Sequence, residues 1–181
     1  AASDVYKRQN VNYEKLEDTV KENDVFIFEA PIKLFDKFLA MAKMKRAKII
    51  YENIDNWETS LGSMFFNRET LIMMLNNADM IVATAQKLVS QTEEYVKKYC
   101  EQPKKVYYLA NAVDDEIFEP RKVYDKPEDL ITGEKTLLYY GSLWGEWFDW
   151  DIIEKIANSD EKISINLIGD YSGITLSLIH I

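Results

Sequence analysis

The stretch 136–150 carries the residues whose types and order could do chemistry. An apolar run of β-formers (Leu137, Leu138, Tyr139, Tyr140) stops at Gly141 and Ser142, passes a tryptophan-rich loop and meets Asp149 at the head of an amphipathic helical pattern. Strand, glycine turn, helix is the order that lets backbone N–H groups approach a phosphate at a helix N-terminus. A lone glycine after a strand fits a plain tight turn equally well. A second place is the pair Asp55 and Asn56 after the apolar run Ile49, Ile50, Tyr51. There, too, an Asx turn is the plainer reading. Other chemistries are closed off: the one cysteine, Cys100, rules out an internal disulfide and a cysteine-based zinc cluster.

The chain ends narrow the field further. The run AASDVYKRQ at 1–9 and the run LSLIHI at 176–181 are translations of one transposase-adapter sequence and of its reverse complement. Both are therefore expected to be library-derived and are set aside, leaving 10–175 as a piece cut at both sides. His180, the only histidine, falls in the second scar, so histidine chemistry is absent from what remains. The net charge of −9 makes a poor nucleic-acid binder, and 47% hydrophobic residues suffice for a core. No apolar run approaches the roughly 18 residues of a membrane span. The expectation is a cytoplasmic protein.

The elements that must position these residues alternate helix and strand. Tyr13, Leu16 and Val20 share a helical face, followed by a short continuous apolar strand at 25–28 of the kind found in parallel sheets. Pro31 breaks the chain. Phe35, Phe38, Leu39 and Ala42 then recur at helical spacing before strand 49–51 and a polar turn at Asn53, Asp55 and Asn56. A helix carrying Leu71, Met74 and Leu75, strand 80–83, helix 87–99 and strand 106–109 follow. Such repeated βα units predict right-handed crossovers and a doubly wound sheet. The polar stretch 119–135, with Pro120, Pro127 and Gly133, reads as a linker. The rhythm restarts with strand 137–140, helix 150–158 and strand 163–168, ending at Gly169. The expected organisation is a partial Rossmann-like domain at 10–119, a linker at 120–135 and the start of a second at 136–175.

Taken in order, the runs ADMIVATAQKLVSQ, VYYLANAVDDEIFEP and KPEDLITGEKTLLYYGSLWGEWFDWDIIEKIA, ending in INLIGD, resemble the GT-B glycosyltransferases of family 4. The likeness is nearest to bacterial members with an aspartate-tryptophan turn such as IDNWE. It covers nearly the whole insert, and its Asn-x-Val-Asp and Phe-x-Pro element is moderately specific. The resemblance implies an α/β, GT-B-like fold of two Rossmann-like domains. It also implies a nucleotide-sugar donor held mainly by the second, an acceptor held mainly by the first, and retaining transfer without a cofactor or bound metal. Residue by residue, Gly141 matches the glycine beside the donor diphosphate, and Ser142 adds a hydroxyl. Asn111, Val113 and Asp114 match the Asn-Gly-Val-Asp element with Ala112 in place of glycine; turn formation and capping of a short helix toward Phe118 is their plainer role. Asp55 and Asn56 lie where relatives place a catalytic or acceptor-orienting group. Thr84 and Gly169 complete the expected substrate-binding set.

The family's acidic donor motif and its acceptor loop do not appear in the chain, and Trp144, Glu146 and Trp147 occupy the loop where a basic residue is usual. A fragment lacking these is expected to be inactive, its parent active on a saccharide or lipid-linked acceptor in cell-envelope polysaccharide synthesis. The basic stretch Lys33, Lys37, Lys43, Lys45, Arg46 and Lys48 offers contact with an anionic membrane at its inner face, or simply a solvated helix face. A non-catalytic nucleotide- or sugar-binding α/β protein is the competing expectation.

Overall fold

The structure is a computed structural model. It describes residues 13–59, 62–143, 148–160 and 162–169. The two expected scars and the residues Trp144, Glu146 and Trp147 lie outside the described residues. The chain divides into two compact units, Ala1–Asp115 and Glu116–Ile181.

The first unit contains α1 (Tyr13–Thr19), β1 (Val25–Phe28), α2 (Asp36–Met44), β2 (Lys48–Asn53), α3 (Arg68–Asn77), β3 (Met80–Ala83), α4 (Gln86–Tyr99) and β4 (Val106–Tyr108). The four strands form one parallel sheet in the order β1-β2-β3-β4. Each segment folds for a local reason. Asn67 caps α3, its Oδ1 accepting the Thr70 N–H at 3.0 Å. At the other end of α3, Lys104 Nζ donates to the carbonyls of Asn76 and Ala78 at 2.7 and 2.8 Å, satisfying groups the helix cannot.

In a parallel sheet residues in register share a face. Phe28, Tyr51 and Ile81 with their row-mates therefore point one way, and Ile27, Ile50 and Met80 the other. The first face meets Leu39, Met41 and Ala42 of α2, Leu71, Met74 and Leu75 of α3, and Leu88 and Val96 of α4, in one core cluster. Because α2 packs on α3 and α3 on α4, the three crossovers lie side by side on that face. Successive crossovers of one hand that step in one direction always land on one side. The sheet is thus wound on one face among the described residues, and the doubly wound expectation is corrected. On the other face Val25, Ile27 and Met80 remain 57, 56 and 45% exposed.

The second unit contains β5 (Lys135–Tyr140), α5 (Trp150–Ala157) and β6 (Ile163–Ile168), its two strands parallel and paired from Lys135↔Ile163 to Tyr140↔Ile168. The polar stretch before it is not all free chain: the Asn166 amide brackets the Ile131 backbone, donating to its carbonyl at 2.8 Å and accepting its N–H at 3.0 Å. Among the described residues no helix is long and apolar enough to cross a membrane.

One-sided packing makes a contrast that chemical denaturation can read. Leu75→Ala, in the covered core, should cost about 2–5 kcal/mol. Ile27→Ala, on the open face, should cost less than about 1 kcal/mol, since little transfer energy is lost where the side chain already meets water. Equal losses would contradict the one-sided core.

Candidate functional site

Ligands of parallel α/β units meet the loops beyond the carboxyl ends of the strands, and most of the expected site residues lie there. In the first unit the loop after β2 is built from its last residue upward. Asn53 is not the first residue of the polar turn, as the sequence suggested, but the last of β2. It is 2% exposed, on the covered face. Its Nδ2 donates to Thr92 Oγ1 at 2.9 Å, and that hydroxyl donates to the Leu88 carbonyl at 2.7 Å. Thr84, beyond β3, clamps the same strand end: its N–H donates to the Asn53 carbonyl at 3.2 Å and its hydroxyl to the Ile54 carbonyl at 3.3 Å.

Asp55 is exposed, and its Oδ1 accepts the Asn56 N–H at 2.7 Å. Asn56 Oδ1 accepts the Glu58 N–H at 3.3 Å, closing the expected Asx turn, and also the Gln91 side-chain N–H at 3.2 Å. Gln91 Nε2 donates as well to Tyr95 Oη at 3.0 Å. Burial first, then the nearby Glu58 carboxylate, hold the Tyr95 hydroxyl well above the ordinary tyrosine range. Two buried side-chain atoms lack a hydrogen-bond partner among the described residues, and both belong to this segment: Asn53 Oδ1 and Trp57 Nε1.

Asn111 and Val113 lie in exposed coil after β4. Only a turn at 115–117 follows, so the expected short helix toward Phe118 is not formed and Phe118 stays exposed.

In the second unit Gly141 ends β5 with φ 146°, a region side chains rarely adopt. Its N–H is committed to the Ile168 carbonyl at 2.9 Å, so that group does not face a phosphate. A Cβ on Gly169 would overlap the Gly141 carbonyl oxygen. Gly169 is therefore required by the approach of two backbones. Tyr139 Oη donates to the Ser142 carbonyl at 3.0 Å, and the Tyr139 ring meets Phe148 edge-on at 4.8 Å. Asp149 caps α5 by accepting the Ile152 N–H at 3.1 Å, with Asp151 in the first turn. Two acids already complement that end of the helix dipole, which disfavours an anion there.

Other features contribute less. Lys33 pairs with Asp36 and Glu69 at 2.9 and 3.2 Å, Lys48 with Asp79 at 3.7 Å and Arg46 with Glu22 at 4.0 Å, while Lys37 lies over the Tyr13 and Phe38 rings. The basic stretch is thus not one free cationic patch. A cavity of about 180 Å³ lies at the opposite, amino ends of β3 and β4, beside Asp79 and Lys104, where Lys104 is committed to capping α3. Among the described residues no three His, Cys, Asp or Glu side chains form a group that could hold a metal.

Sequence reasoning places Leu88, Thr92, Tyr95 and Val96 on the inward face of the helix at 87–99, as observed for Thr92 and Tyr95, and missed Gln91. Gln91 reads as the wet flank of an amphipathic helix, and only Asn53, a polar residue ending an apolar run, gave any signal. In comparisons with known proteins, no family model and no curated protein matches the chain.

Gly169→Ala should destabilise the second unit by about 1–3 kcal/mol or more through overpacking. Asp149→Ala should cost about 0.5–2 kcal/mol through the lost cap. Thermal unfolding followed by tryptophan fluorescence checks both, and an unchanged melting temperature for Gly169→Ala would contradict the backbone apposition.

Proposed function

We propose that this chain is part of a retaining, nucleotide-sugar-dependent glycosyltransferase of GT-B plan. In this reading the donor diphosphate meets the second unit at Gly141 and Ser142, and a saccharide or lipid-linked saccharide acceptor meets the first at Asp55. The observation that carries the reading is the Gly141 turn. It follows a parallel strand at its carboxyl end, adopts a backbone conformation suited to glycine, and lies against a second glycine, Gly169, so that two neighbouring strand ends present backbone rather than side chains. The order of the family-like runs supports the specific chemistry.

Two features adjust the donor site. Because the Gly141 N–H is bonded within the sheet and acids occupy the start of α5, the diphosphate is held by Ser142 and by amides beyond Gly141 rather than by the α5 terminus. N–H donors that meet the diphosphate would stabilise the charge developing on it as the leaving group. In the first unit the exposed carboxylate of Asp55 is the group offered to an acceptor hydroxyl. The reaction is taken to need no cofactor and no metal.

The complete protein should release nucleoside diphosphate from at least one nucleotide sugar, and that compound should raise the melting temperature of the protein. Gly141→Val should abolish the shift, and Ser142→Ala, which leaves the backbone unstrained, should weaken binding about two- to tenfold, the loss of one hydrogen bond. A panel of nucleotide sugars giving neither release nor a shift contradicts the proposal. A shift without turnover favours the non-catalytic binder.

A further inference from the structure

The open face of the first sheet carries a charge pattern as well as apolar side chains. Register places Ile27, Ile50 and Met80 in one row across β1, β2 and β3, with Val82 and Tyr107 in the next row on β3 and β4. On β2 the same face presents Lys48 two residues before Ile50 and Glu52 two residues after it. Lys48 is held only loosely, by Asp79 at 3.7 Å, and Asp79 already accepts the Ile49 N–H at 2.8 Å. Glu52 is half-buried and has no hydrogen bond or ion pair among the described residues. A carboxylate set beside Ile50 and Val82 is stabilised there only by a cation that arrives from outside the sheet.

We infer that this face is an interface between two copies of the chain, packed sheet on sheet about a two-fold axis that crosses the strands along the row of Ile27, Ile50 and Met80. Such an axis turns one sheet over onto the other and reverses its strands, so a residue two places before the row meets the residue two places after it. Lys48 of each copy then faces Glu52 of the other, on both sides of Ile50 packed on Ile50. The alternative axis, along β2, sets lysine on lysine and glutamate on glutamate, and like-charge contacts disfavour it. Packed sheets lie about 10 Å apart, a gap that a lysine and a glutamate side chain close together. Val25, Ile27 and Met80 supply exposed apolar surface around the charged pairs. Lys105, on the edge strand β4, lies over the Tyr107 ring at 4.5 Å, at the margin where twisted sheets diverge. Four strands about 4.8 Å apart and roughly five residues of about 3.3 Å each cover about 300 Å² of plane, at the small end for an interface, so association is weak. The inference does not depend on the transferase reading.

Sedimentation equilibrium of the full chain between about 10 μM and about 1 mM should show a mass rising toward twice that of the monomer. Lys48→Glu and Glu52→Lys should each weaken association at least about tenfold, because each sets like charges opposite one another. Mixed in equal amounts, the two variants should associate again, since every charged contact across the mixed pair is then opposite in sign. Two misfolded variants could not do this. The double substitution should behave as the unsubstituted chain. A chain that stays monomeric throughout, as expected if the face belongs to another segment or another protein, overturns the inference. So does a dimer indifferent to both substitutions, which uses another surface, or a mixture that stays apart.

Discussion

Packing of α2, α3 and α4 onto one face of the four-stranded sheet is the constraint on which the first unit depends. It follows from the strand order: each parallel step goes the same way, so each crossover of the same hand returns over the same face. Burial there is nearly complete, with Met41, Met74 and Leu75 fully enclosed. The cost is a second face on which Val25, Ile27 and Met80 meet water, although parallel sheets are as a rule covered on both sides.

The same geometry creates the surface on which function is proposed. When every strand runs parallel, every carboxyl end opens on the same edge, and the loops that leave it are neighbours. Thr84 can therefore clamp the end of β2 from the end of β3, and α4, packed over β3 and β4, can reach the β2 turn through Gln91. In the second unit the corresponding edge is shaped by backbone: Gly141 and Gly169 approach too closely for a side chain on Gly169. The described part of the first edge is thus rich in amides, hydroxyls and a carboxylate, and in the second two glycines bring main chain against main chain.

Much of the fold was legible in the residues. Continuous apolar runs marked β1, β3 and β6 at their observed ends, and helical spacing found α2 to α5 to within a few residues. The number of covered faces was not legible. Ile27 and Phe28 are equally apolar, and only the crossover directions decide which one is buried. The candidate site was legible in part. The turn at Asp55 and Asn56 was found because short polar residues after an apolar run signal one. Asn53 was misplaced into that turn because a buried amide needs Thr92, 39 residues away, to be tolerated. Gln91 was invisible because a glutamine on a helix flank looks solvated until its partner is known. Gly169 was expected among the substrate-binding residues, and the close approach of the Gly141 backbone accounts for its lack of a side chain. The short helix toward Phe118 was drawn from capping residues alone, with no apolar face to bury, and capping without packing does not hold a helix.

Hydrogen–deuterium exchange of the protein with and without a nucleotide sugar tests the central claim, that ligands meet the carboxyl ends of these parallel strands, most directly. The account predicts slowed exchange in the residues just after β5, with the amino ends of β3 and β4 unchanged. Protection centred instead on the cavity beside Asp79 and Lys104, or no protection with any nucleotide sugar, would contradict it.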